Sequence, residues 1–499
     1  MWILTNKEMR EADTYTIEIL GVASLALMER AGEALADAAQ RMVSNGKIVC
    51  VCGGGNNGGD GFVCARLLKE RGRDVSVLFC AKKMTDDCST NKNRWEELGG
   101  ATVSKLNGEV ALLVDCLFGT GFKGVLDGEY KAIVEQMRVY KETGTKILSA
   151  DIPSGVNGDN GLVDGLAVQA DETLCIGNIK VGALLNDGKD YAGKVKVSDI
   201  GIQLPSDTYA TLIEKPLVKT LLPKRNKNSH KGTFGRAAIV AGSMQYAGAA
   251  YLSTAACLRS GAGYTTLFVP NNLAQAFLLR LPEALLKGIG GTDELVFDKA
   301  QFQGLLRYDS IAYGMGLGCS KEVAQGAKYL LQEYTGRLVL DADGLNSLAE
   351  YEKENLETLF QNKKCDVVIT PHVKEFSRLL NVTVEEILQD GMALSQAFAK
   401  KNGIALLLKS ATSIITNGEK TFLNVVGNSG QAKGGSGDVL SGVLAGLCAQ
   451  GLDCISSAVT GSFLCGSAAD LARLQYGEHA LKASDCIERL GEAFLRVGG

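Results

Sequence analysis

The chain is organised around one glycine-rich stretch, Gly427-Asn-Ser-Gly-Gln-Ala-Lys-Gly-Gly-Ser-Gly-Asp438-Val-Leu-Ser-Gly442. Its glycines at 434, 435 and 437 allow the backbone to turn sharply and to bring bare N–H groups close to a ligand. The apolar residues after Asp438 predict the first turns of a helix, and the N-terminus of a helix favours anions. The stretch therefore predicts a phosphate cradle at the start of a helix.

Asp438 is the unusual member of this stretch, because a carboxylate repels phosphate. It fits a site in which it accepts a proton from a hydroxyl that attacks a phosphoryl group. The alternative is a glycine-rich turn in which Asp438 is an ordinary N-cap. We favour phosphoryl chemistry or nucleotide binding because of the density of glycines.

Length and composition narrow the class of protein. A chain of 499 residues predicts two to four domains, and 46% hydrophobic with 22% charged residues is typical of a soluble globular protein. A net charge of −4 argues against nucleic acid as a partner. No run approaches the roughly 20 apolar residues that span a bilayer, and the first residues lack the apolar core of a signal peptide. We therefore expect a cytoplasmic protein without nucleic-acid or membrane partners.

The cysteines and histidines predict no zinc site. Fourteen cysteines occur without a C-x-x-C pair, so we interpret them as small buried residues in a reducing compartment. The histidines are only His230, His372 and His479.

The first half predicts a parallel α/β sheet. A buried strand at 47–52 leads into the loop Gly53-Gly-Gly-Asn-Asn-Gly-Gly-Asp60-Gly and then a helix. Gly53-x-Gly55-x-x-Gly58 matches the dinucleotide fingerprint, but the next strand ends in Ala-Lys-Lys rather than in the acidic residue that holds a ribose. We expect this loop to bind something else, and a Rossmann oxidoreductase stays the alternative for this half.

Polar residues follow three strands of this predicted sheet: Asn57 and Asp60, then Asp115, then Asp151 and Ser154. Ligands of an open parallel sheet bind outside the carboxyl ends of its strands, so we expect these side chains to converge on one cleft. Any one such Asp alone is more simply a turn former or a helix cap. Together, their oxygens suit a hard cation beside a carboxylate that moves a proton.

A linker and a second α/β domain are predicted after this sheet. Prolines at 205, 216 and 223 and a basic segment at 224–232 separate a domain 1–215 from a domain 216–499, in which strands and helices alternate again. His372 and Glu375 follow a strand, where they either face a ligand or simply begin a helix. Asp341 and Asp343 either contact a ligand or form Asx turns, and the sequence favours neither interpretation.

Longer motifs resemble those of a known family. The motifs of the first half are Cys52-Gly-Gly-Gly-Asn-Asn-Gly-Gly-Asp-Gly61, Val114-Asp-Cys-Leu-Phe-Gly119 and Asp151-Ile-Pro-Ser-Gly155. Those of the second half are Ala241-Gly-Ser, Gly261-Ala-Gly, Gly314-Met-Gly-Leu-Gly, Leu340-Asp-Ala-Asp-Gly-Leu-Asn346, Thr370-Pro-His-Val-Lys-Glu375 and Gly434-Gly-Ser-Gly-Asp438. The first set resembles the NAD(P)H-hydrate epimerase domain, and the second set resembles the ADP-dependent (S)-NAD(P)H-hydrate dehydratase domain.

This resemblance covers nearly the whole chain and implies a fold and an activity. The fold would be two three-layer αβα domains, a Rossmann-like epimerase domain followed by a ribokinase-like dehydratase domain. The first would interconvert the epimers of hydrated NADH or NADPH, and the second would remove water from the S form with ADP as the phosphoryl donor and Mg²⁺. The resemblance also suggests a homo-oligomer.

The resemblance further implies the site residues. In the first domain, Asp151 would transfer the proton, and K⁺ would lie at Asn57, Asp115 and Ser154. Hydrate contacts there would be Asn56, Asn57, Gly58, Gly59, Asp60, Gly119, Thr120 and Gly121. In the second domain, Asp438 would be the base. Hydrate contacts there would be Ala249, Gly316, His372 and Asp438, and nucleotide contacts Lys409, Ser410, Ala411, Thr412, Ser413 and Gly437.

The sequence departs from the family pattern in two places. Ser410 stands where the family has glycine, and Gln431-Ala-Lys433 replaces Met-Ala-Thr. We expect Ser410 to add bulk near the nucleotide and Lys433 to strengthen a phosphate contact. The alternative for the second half is a kinase for a small alcohol, and a non-catalytic nucleotide-binding scaffold is the third hypothesis.

Overall fold

The computed structural model describes residues 1–122 and 124–498. The chain forms two compact units, Met1–Ala210 and a second that begins at Thr211. This division falls near the boundary predicted after residue 215. The α/β class predicted from the alternation of strands and helices is confirmed in both units.

The first unit is a parallel sheet covered by helices. Its strands are β1 (Trp2–Leu4), β2 (Ile48–Cys52), β3 (Val75–Phe79), β4 (Ala101–Val103), β5 (Leu112–Cys116), β6 (Lys146–Ala150), β7 (Glu172–Ile176), β8 (Ile179–Lys180) and β9 (Lys194–Ser198). Its α-helices are α1 (Asn6–Thr14), α2 (Ser24–Met42), α3 (Asn56–Glu70), α4 (Asp86–Glu97), α5 (Gly128–Glu142) and α6 (Gly188–Tyr191). Seven strands form one sheet in the order β4-β3-β2-β5-β6-β7-β9, and β1 pairs with β8.

Both faces of this sheet are buried, which explains the uninterrupted apolar run of β2. Ile48, Cys50 and Cys52 lie in the core on the side of α2 and α3, whereas Val49 and Val51 lie in a second core on the side of α5. Successive side chains of a strand point to opposite faces, so a strand covered on both faces is apolar throughout. The result is the three-layer arrangement expected for the first domain.

The second unit has a larger sheet. Its strands are β10 (Ala210–Leu212), β11 (Arg236–Val240), β12 (Tyr264–Val269), β13 (Leu285–Gly288), β14 (Ser310–Tyr313), β15 (Arg337–Leu340), β16 (Asp366–Ile369), β17 (Ala405–Leu408), β18 (Ser413–Thr416) and β19 (Thr421–Asn424). They follow the order β13-β12-β11-β14-β15-β16-β17-β18-β19-β10. Pairing is parallel from β13 to β17 and antiparallel where β18 meets β17 and β19.

Twelve α-helices accompany this sheet in the described part of the second unit. They are α7 (Lys215–Leu221), α8 (Ala247–Arg259), α9 (Ala274–Phe277), α10 (Lys299–Gln303), α11 (Lys321–Glu333), α12 (Ala342–Tyr351), α13 (Leu356–Gln361), α14 (Val373–Leu380), α15 (Val384–Asn402), α16 (Ser436–Ala449), α17 (Cys454–Ala480) and α18 (Ala483–Val497). Every residue of α16 from Val439 to Ala449 is buried, so the helix that follows the glycine-rich loop is the central helix of this unit. Such a helix cannot shift without disturbing the core, and it holds the loop in place.

Cysteine burial agrees with the sequence interpretation, since all the cysteines except Cys319 are buried, and none is paired in a disulfide. Among the described residues, no helix is long and apolar enough to cross a bilayer. Nor does this part of the chain bring together three or more His, Cys, Asp or Glu side chains able to hold a metal.

We predict opposite effects for two helical glycine-to-alanine changes. A Cβ on Gly442 of α16 would lie 2.0 Å from the carbonyl oxygen of Ser253 in α8, so Gly442→Ala forces the two helices apart. Overpacking of this kind costs about 1–3 kcal/mol or more. Gly491 of α18 is exposed with no atom near its added Cβ, so Gly491→Ala should stabilise the helix by up to about 1 kcal/mol.

Chemical denaturation followed by far-UV circular dichroism measures both changes. Gly491→Ala is the matched control, because it makes the same substitution in a helix of the same unit. Equal midpoints for the two variants would show that the α8–α16 contact is not the constraint that the structure indicates.

Candidate active sites

A buried carboxylate organises the polar end of β5 in the first unit. Asp115 is fully buried and accepts hydrogen bonds from the hydroxyl of Ser154 at 2.6 Å, the backbone N–H of Ser154 at 2.9 Å and the hydroxyl of Ser149 at 2.9 Å. Burial raises the pKa of Asp115, and the hydrogen bonds from Ser154 partly oppose that shift. Asp115 and Ser154, predicted from separate strand ends, are therefore in direct contact.

Asn57 joins this group through the backbone of Phe118. Its amide nitrogen donates to the carbonyl of Phe118 at 2.8 Å and to that of Ala150 at 3.3 Å, and the backbone N–H of Phe118 donates to Ser154 Oγ at 3.0 Å. The other side-chain atom, Asn57 Oδ1, is buried without a hydrogen-bond partner. A buried acceptor without a donor costs free energy, and a bound cation would satisfy it. The amide, carboxylate and hydroxyl oxygens present here fit a hard cation.

Asp151 lies directly after β6 in a strained backbone conformation. Its φ is 70°, in the left-handed region that residues other than glycine rarely adopt. Its N–H donates to Leu174 O at 2.8 Å, and its Oδ1 accepts from the N–H of Ile176 at 3.2 Å and from the ammonium of Lys180. The carboxylate is thus held through Oδ1 by Ile176 of β7 and Lys180 of β8, and the backbone by Leu174 of β7.

Two further charged residues of this site were missed in the sequence analysis. Lys180 is 1% exposed, and Asp13 of α1 interacts electrostatically with both Lys180 and Asp151. Burial raises the pKa of Asp13 to about 6, with Lys180 opposing the shift. An isolated lysine after the apolar β7 was the available signal for Lys180; Asp13 gave none, because it lies on an ordinary amphipathic helix.

A cavity of about 1140 Å³ brings most of the predicted residues of the first unit together. Its lining includes Asp13, Asn56, Asn57, Asp60, Gly119, Thr120, Gly121, Asp151 and Lys180. Gly58 and Gly59 are not in the lining. A Cβ on Gly58 would lie 1.9 Å from Gly53 O, and one on Gly59 would lie 2.5 Å from Met28 Sδ, so these glycines allow close packing of α3.

The second site is built on the ion pair between Lys409, after β17, and Asp341, after β15. Lys409 Nζ lies 2.7 Å from Asp341 Oδ1, and Asp341 Oδ2 accepts from the hydroxyl of Ser441 at 2.7 Å. Glu375 Oε2 lies 3.9 Å from the same ammonium. Burial lowers the pKa of Lys409, but the charges of Asp341 and Glu375 outweigh it, and the net shift is upward. Asp341 therefore binds two side chains of this group and does not serve only as a turn former.

Asp438 lies in the first turn of α16 beside this ion pair. The N-cap of α16 is Gly435, whose φ of 99° lies in the left-handed region that favours glycine. The interpretation of Asp438 as an ordinary N-cap is therefore wrong. Burial raises the pKa of Asp438 to about 7; the charge of Asp341 adds to the shift and Lys409 opposes it. A Cβ on Gly437 would lie 3.3 Å from Lys409 Nζ. Gly437, Asp438 and Lys409 thus form one group.

His372 and Glu375 begin α14 and also lie beside Lys409. The N–H of Glu375 donates to His372 Nδ1 at 3.1 Å, and the N–H of His372 donates to Glu375 Oε2 at 2.8 Å, which is a reciprocal cap on α14. Glu375 nevertheless faces Lys409, and the backbone of His372 pairs with that of Lys409. Burial lowers the pKa of His372 and raises that of Glu375, and the charge of Lys409 lowers both.

Gly316 and Ala249 contact each other elsewhere in the second unit. A Cβ on Gly316, whose φ is 64°, would lie 2.8 Å from the Cβ atoms of both Ala249 and Tyr246. Asp343 Oδ2 accepts from the N–H of Gly318 at 2.8 Å and so fastens the loop of Gly316 to the start of α12. Asp343, like Asp341, therefore positions the site.

The remaining predicted nucleotide contacts lie between β17 and β18. Ser410 and Ala411 are exposed, and Ser413 begins β18. Thr412 is buried, and its hydroxyl has no hydrogen-bond partner. The expectation that Lys433 strengthens a phosphate contact is contradicted, because its ammonium donates to the carbonyls of His479 at 2.6 Å and Leu481 at 2.7 Å.

Ser441 was missed, although a signal existed. It follows Asp438 by three residues, and residues at that spacing share a helix face.

Comparison with known families agrees with this division of sites. The family model for NAD(P)H-hydrate dehydratase matches residues 237–490, and the model for the YjeF-related protein N-terminus matches residues 24–182. A bifunctional NAD(P)H-hydrate repair enzyme from Moorella thermoacetica is 33% identical, and the match covers 98% of this chain and 96% of that protein. The chain belongs to the family of bifunctional NAD(P)H-hydrate repair enzymes.

Solved structures also resemble part of this chain. An ADP/ATP-dependent NAD(P)H-hydrate dehydratase from Bacillus subtilis, co-crystallised with ATP and Mg²⁺, is 26% identical with a TM-score of 0.50; the match covers 58% of this chain and 99% of that one. A ribokinase-like superfamily protein from Enterococcus faecalis is 27% identical with a TM-score of 0.50 and corresponding coverages of 59% and 98%. The predicted family and the predicted ribokinase-like fold of the second half are confirmed.

We predict that Asp438 of the repair enzyme titrates near neutral pH. Its carboxyl should be protonated below about pH 7 and ionised above it, because burial and Asp341 disfavour the charged form. Asp341→Asn removes one of the causes that raise the pKa and should lower the midpoint. Carboxyl ¹³C NMR, with the signal assigned by comparison with Asp438→Asn, measures the midpoint.

Asp298→Asn is the control for this titration, because Asp298 caps α10 and is not among the groups that shift the pKa of Asp438. Its midpoint should equal that of the unmodified protein. A midpoint near the ordinary Asp value of about 4 would contradict the environment described here.

Proposed function

We propose that the first unit interconverts the R and S hydrates of NADH and NADPH, and that the second unit dehydrates the S form with ADP as phosphoryl donor. The observation that carries the proposal is the position of Asp438. A carboxyl with a pKa of about 7 lies in the first turn of a buried helix, beside a Lys409–Asp341 ion pair. This arrangement provides a base for a hydroxyl and a positive helix end for a phosphoryl group.

The dehydration then follows from the residues of the second unit. Asp438 accepts the proton of the substrate hydroxyl while the hydroxyl oxygen attacks the terminal phosphoryl group of ADP, so that AMP leaves. The phosphate ester formed in this way is a better leaving group than hydroxide, and its departure as phosphate with loss of a ring proton restores the reduced ring. Lys409 and the N-terminus of α16 stabilise the phosphoryl charge.

Mg²⁺ would accompany the nucleotide phosphates. The described residues form no cluster of three metal-binding side chains, and Mg²⁺ commonly takes one or two carboxylates together with phosphate oxygens and water. Its contribution when bound is to neutralise phosphate charge.

In the first unit, we assign K⁺ to Asn57, Asp115 and Ser154 and proton transfer to Asp151. The unpartnered Oδ1 of Asn57 supports the cation, because no other group satisfies that buried oxygen. Ser154 donates a hydrogen bond to Asp115 and accepts one from the N–H of Phe118. The proposed cation ligands therefore also hold the loop after β5. A cytoplasmic location and a homo-oligomeric state stay predictions.

We expect an equilibrated mixture of NADH-hydrate epimers to return completely to NADH in the presence of the protein, ADP and Mg²⁺. Asp438→Asn should lower the rate of dehydration by about 100-fold or more and leave epimerisation intact. Asp151→Asn should do the reverse, so that recovery stops when the S form is consumed. Absorbance of the reduced ring measures recovery, and chromatography of the epimers measures their exchange.

Each aspartate variant serves as the control for the other, because each removes one carboxyl from a different unit. Accumulation of a stable phosphorylated product without NADH would instead support the small-alcohol kinase. Retention of full turnover by Asp438→Asn would support the non-catalytic scaffold.

We also expect epimerisation to depend on K⁺. Replacing K⁺ by tetramethylammonium, which is too large to bind among side-chain oxygens, should lower the epimerisation rate while the dehydration of purified S hydrate continues. Asn57→Leu should abolish the K⁺ response, since it removes the unpartnered oxygen. Equal epimerisation rates in the two salts at the same ionic strength would contradict the assignment.

A further inference from the structure

Three carboxyl groups in the cavity of the first unit interact with one buried ammonium, that of Lys180. Asp13, Asp60 and Asp151 line the cavity, and the pKa values of Asp13 and Asp60 respond to Lys180. Arg10, Lys82 and Lys83 also line the cavity, but among the described residues Lys180 is the cation that forms an ion pair with one of these three carboxyls. Burial raises the pKa of Asp13 and that of Asp60 above the usual value of an aspartate.

The geometry shows which of these carboxyls pairs with Lys180. Lys180 is 1% exposed, forms a direct ion pair with Asp151 Oδ1 and donates to the carbonyl of Ile176 at 2.6 Å. The N–H of Ile176 donates to the same Oδ1 of Asp151. Two donors on one oxygen stabilise the carboxylate form and fix its rotamer, while Asp151 Oδ2 lies 3.5 Å from the position of a Cβ on the cavity residue Gly119.

Asp60, on α3, has the opposite environment. Burial raises the pKa of Asp60 well above its usual range, Asp151 raises it further, and Lys180 opposes the shift. Among the described residues, Asp60 forms no ion pair of the kind that Lys180 forms with Asp151. One cavity thus contains an ion-paired carboxyl and a second carboxyl whose pKa is raised by burial, which is the arrangement expected of a base and an acid.

We propose that Asp60 is the general acid of the epimerase reaction, and that Lys180 is the positioning residue that holds Asp151 as its base. This inference rests on the proposed epimerase function and adds the second proton-transfer group, which that function requires. Asp60 has so far appeared only as a substrate contact.

The chemistry of the hydrate requires one acid and one base. Water adds to a reduced nicotinamide at the ring carbon beside the nitrogen, so the hydrate is a cyclic hemiaminal. In the opening step, Asp151 accepts the hydroxyl proton, and the oxygen forms a double bond to carbon. The carbon–nitrogen pair moves to the nitrogen, which takes the proton of Asp60. Rotation of the aldehyde and reclosure from its other face return both protons, so both carboxyls are restored.

The other titratable groups that interact with Asp60 do not compete for these roles. They are the thiols of Cys52, Cys88 and Cys116, on β2, α4 and β5. Burial raises the pKa of Cys88 to about 11 and those of the other two well above their usual value, so all three are neutral. Asp13, with a pKa of about 6, is the remaining carboxyl of this group; among the described residues, Lys180 forms its ion pair with Asp151 rather than with Asp13.

The test measures epimerisation of purified R hydrate by the full-length protein without ADP, as a function of pH. Lys180→Met should lower kcat about 100-fold or more with little change in KM. The acidic limb of its pH profile should move to higher pH, because a carboxylate that loses its cation is harder to ionise. Lys180→Arg should restore part of the rate and the original limb.

Asp60→Asn tests the acid by itself, because it keeps the shape of a protonated carboxyl and so preserves the fold. It should lower kcat about 100-fold or more and remove the basic limb of the profile, which reports loss of the acid's proton. Lys196→Met is the matched control for Lys180. It breaks the ion pair of Lys196 with Glu172, at 2.7 Å between β9 and β7, outside the cavity lining, and should leave the profile unchanged.

Folding is checked separately in the two units. Trp2 and Trp95 both lie in the first unit, so tryptophan fluorescence reports its integrity, and dehydration of purified S hydrate reports that of the second. A slower Lys180→Met variant with the wild-type pH profile would reduce Lys180 to a structural role and overturn the inference. So would an Asp60→Asn variant that keeps most of its activity. Absence of epimerisation in the unmodified protein would instead remove the proposed function itself.

Discussion

Each unit depends on one buried ion pair between a lysine and an aspartate at the carboxyl end of a parallel strand. In the first unit the pair is Lys180–Asp151, and in the second it is Lys409–Asp341. A buried charge is costly unless it is paired, so each lysine fixes which neighbouring carboxylate stays ionised. The remaining carboxyls then hold protons at higher pH than exposed ones do, as for Asp60 and Asp438. Both sites thereby obtain acid and base groups from the same type of side chain.

Backbone strain accompanies both ion pairs. Asp151, with φ 70°, follows β6 directly, and Ala342, with φ 47°, follows Asp341 at the start of α12. Left-handed residues other than glycine cost about 1–3 kcal/mol and persist only where their surroundings fix them. Asp151 is held by β7 and by Lys180, and Asp343, the residue after Ala342, is held by the N–H of Gly318.

The fold and the strand-end carboxylates were predictable because both follow from local patterns. Alternating strands and helices predict a parallel sheet, and a parallel sheet brings the ends of its strands together, which explains why Asp115 and Ser154 meet. Lys180 was not predicted, because its pairing with Asp151 depends on how β8 is placed. The roles of Gly58 and Gly59 were not predictable either, since a glycine that a ligand requires and one that a neighbouring helix requires are identical in sequence. Lys433 shows the same limit for a charge, because nothing local indicates that its partners are the carbonyls at the end of α17.

The glycines of the stretch at 427–442 are required for different physical reasons. Gly435 is needed for a left-handed turn, and Gly442 is needed because α8 lies too close for any side chain. Gly437 does not have a positive φ, and the ends of the Lys409 and Asp341 side chains are the groups near its missing side chain. The fold alone does not demand glycine at this position, whereas the proposed approach of a nucleotide to the backbone does. Gly435 and Gly442 are thus explained by the fold, and Gly437 is explained by the proposed function.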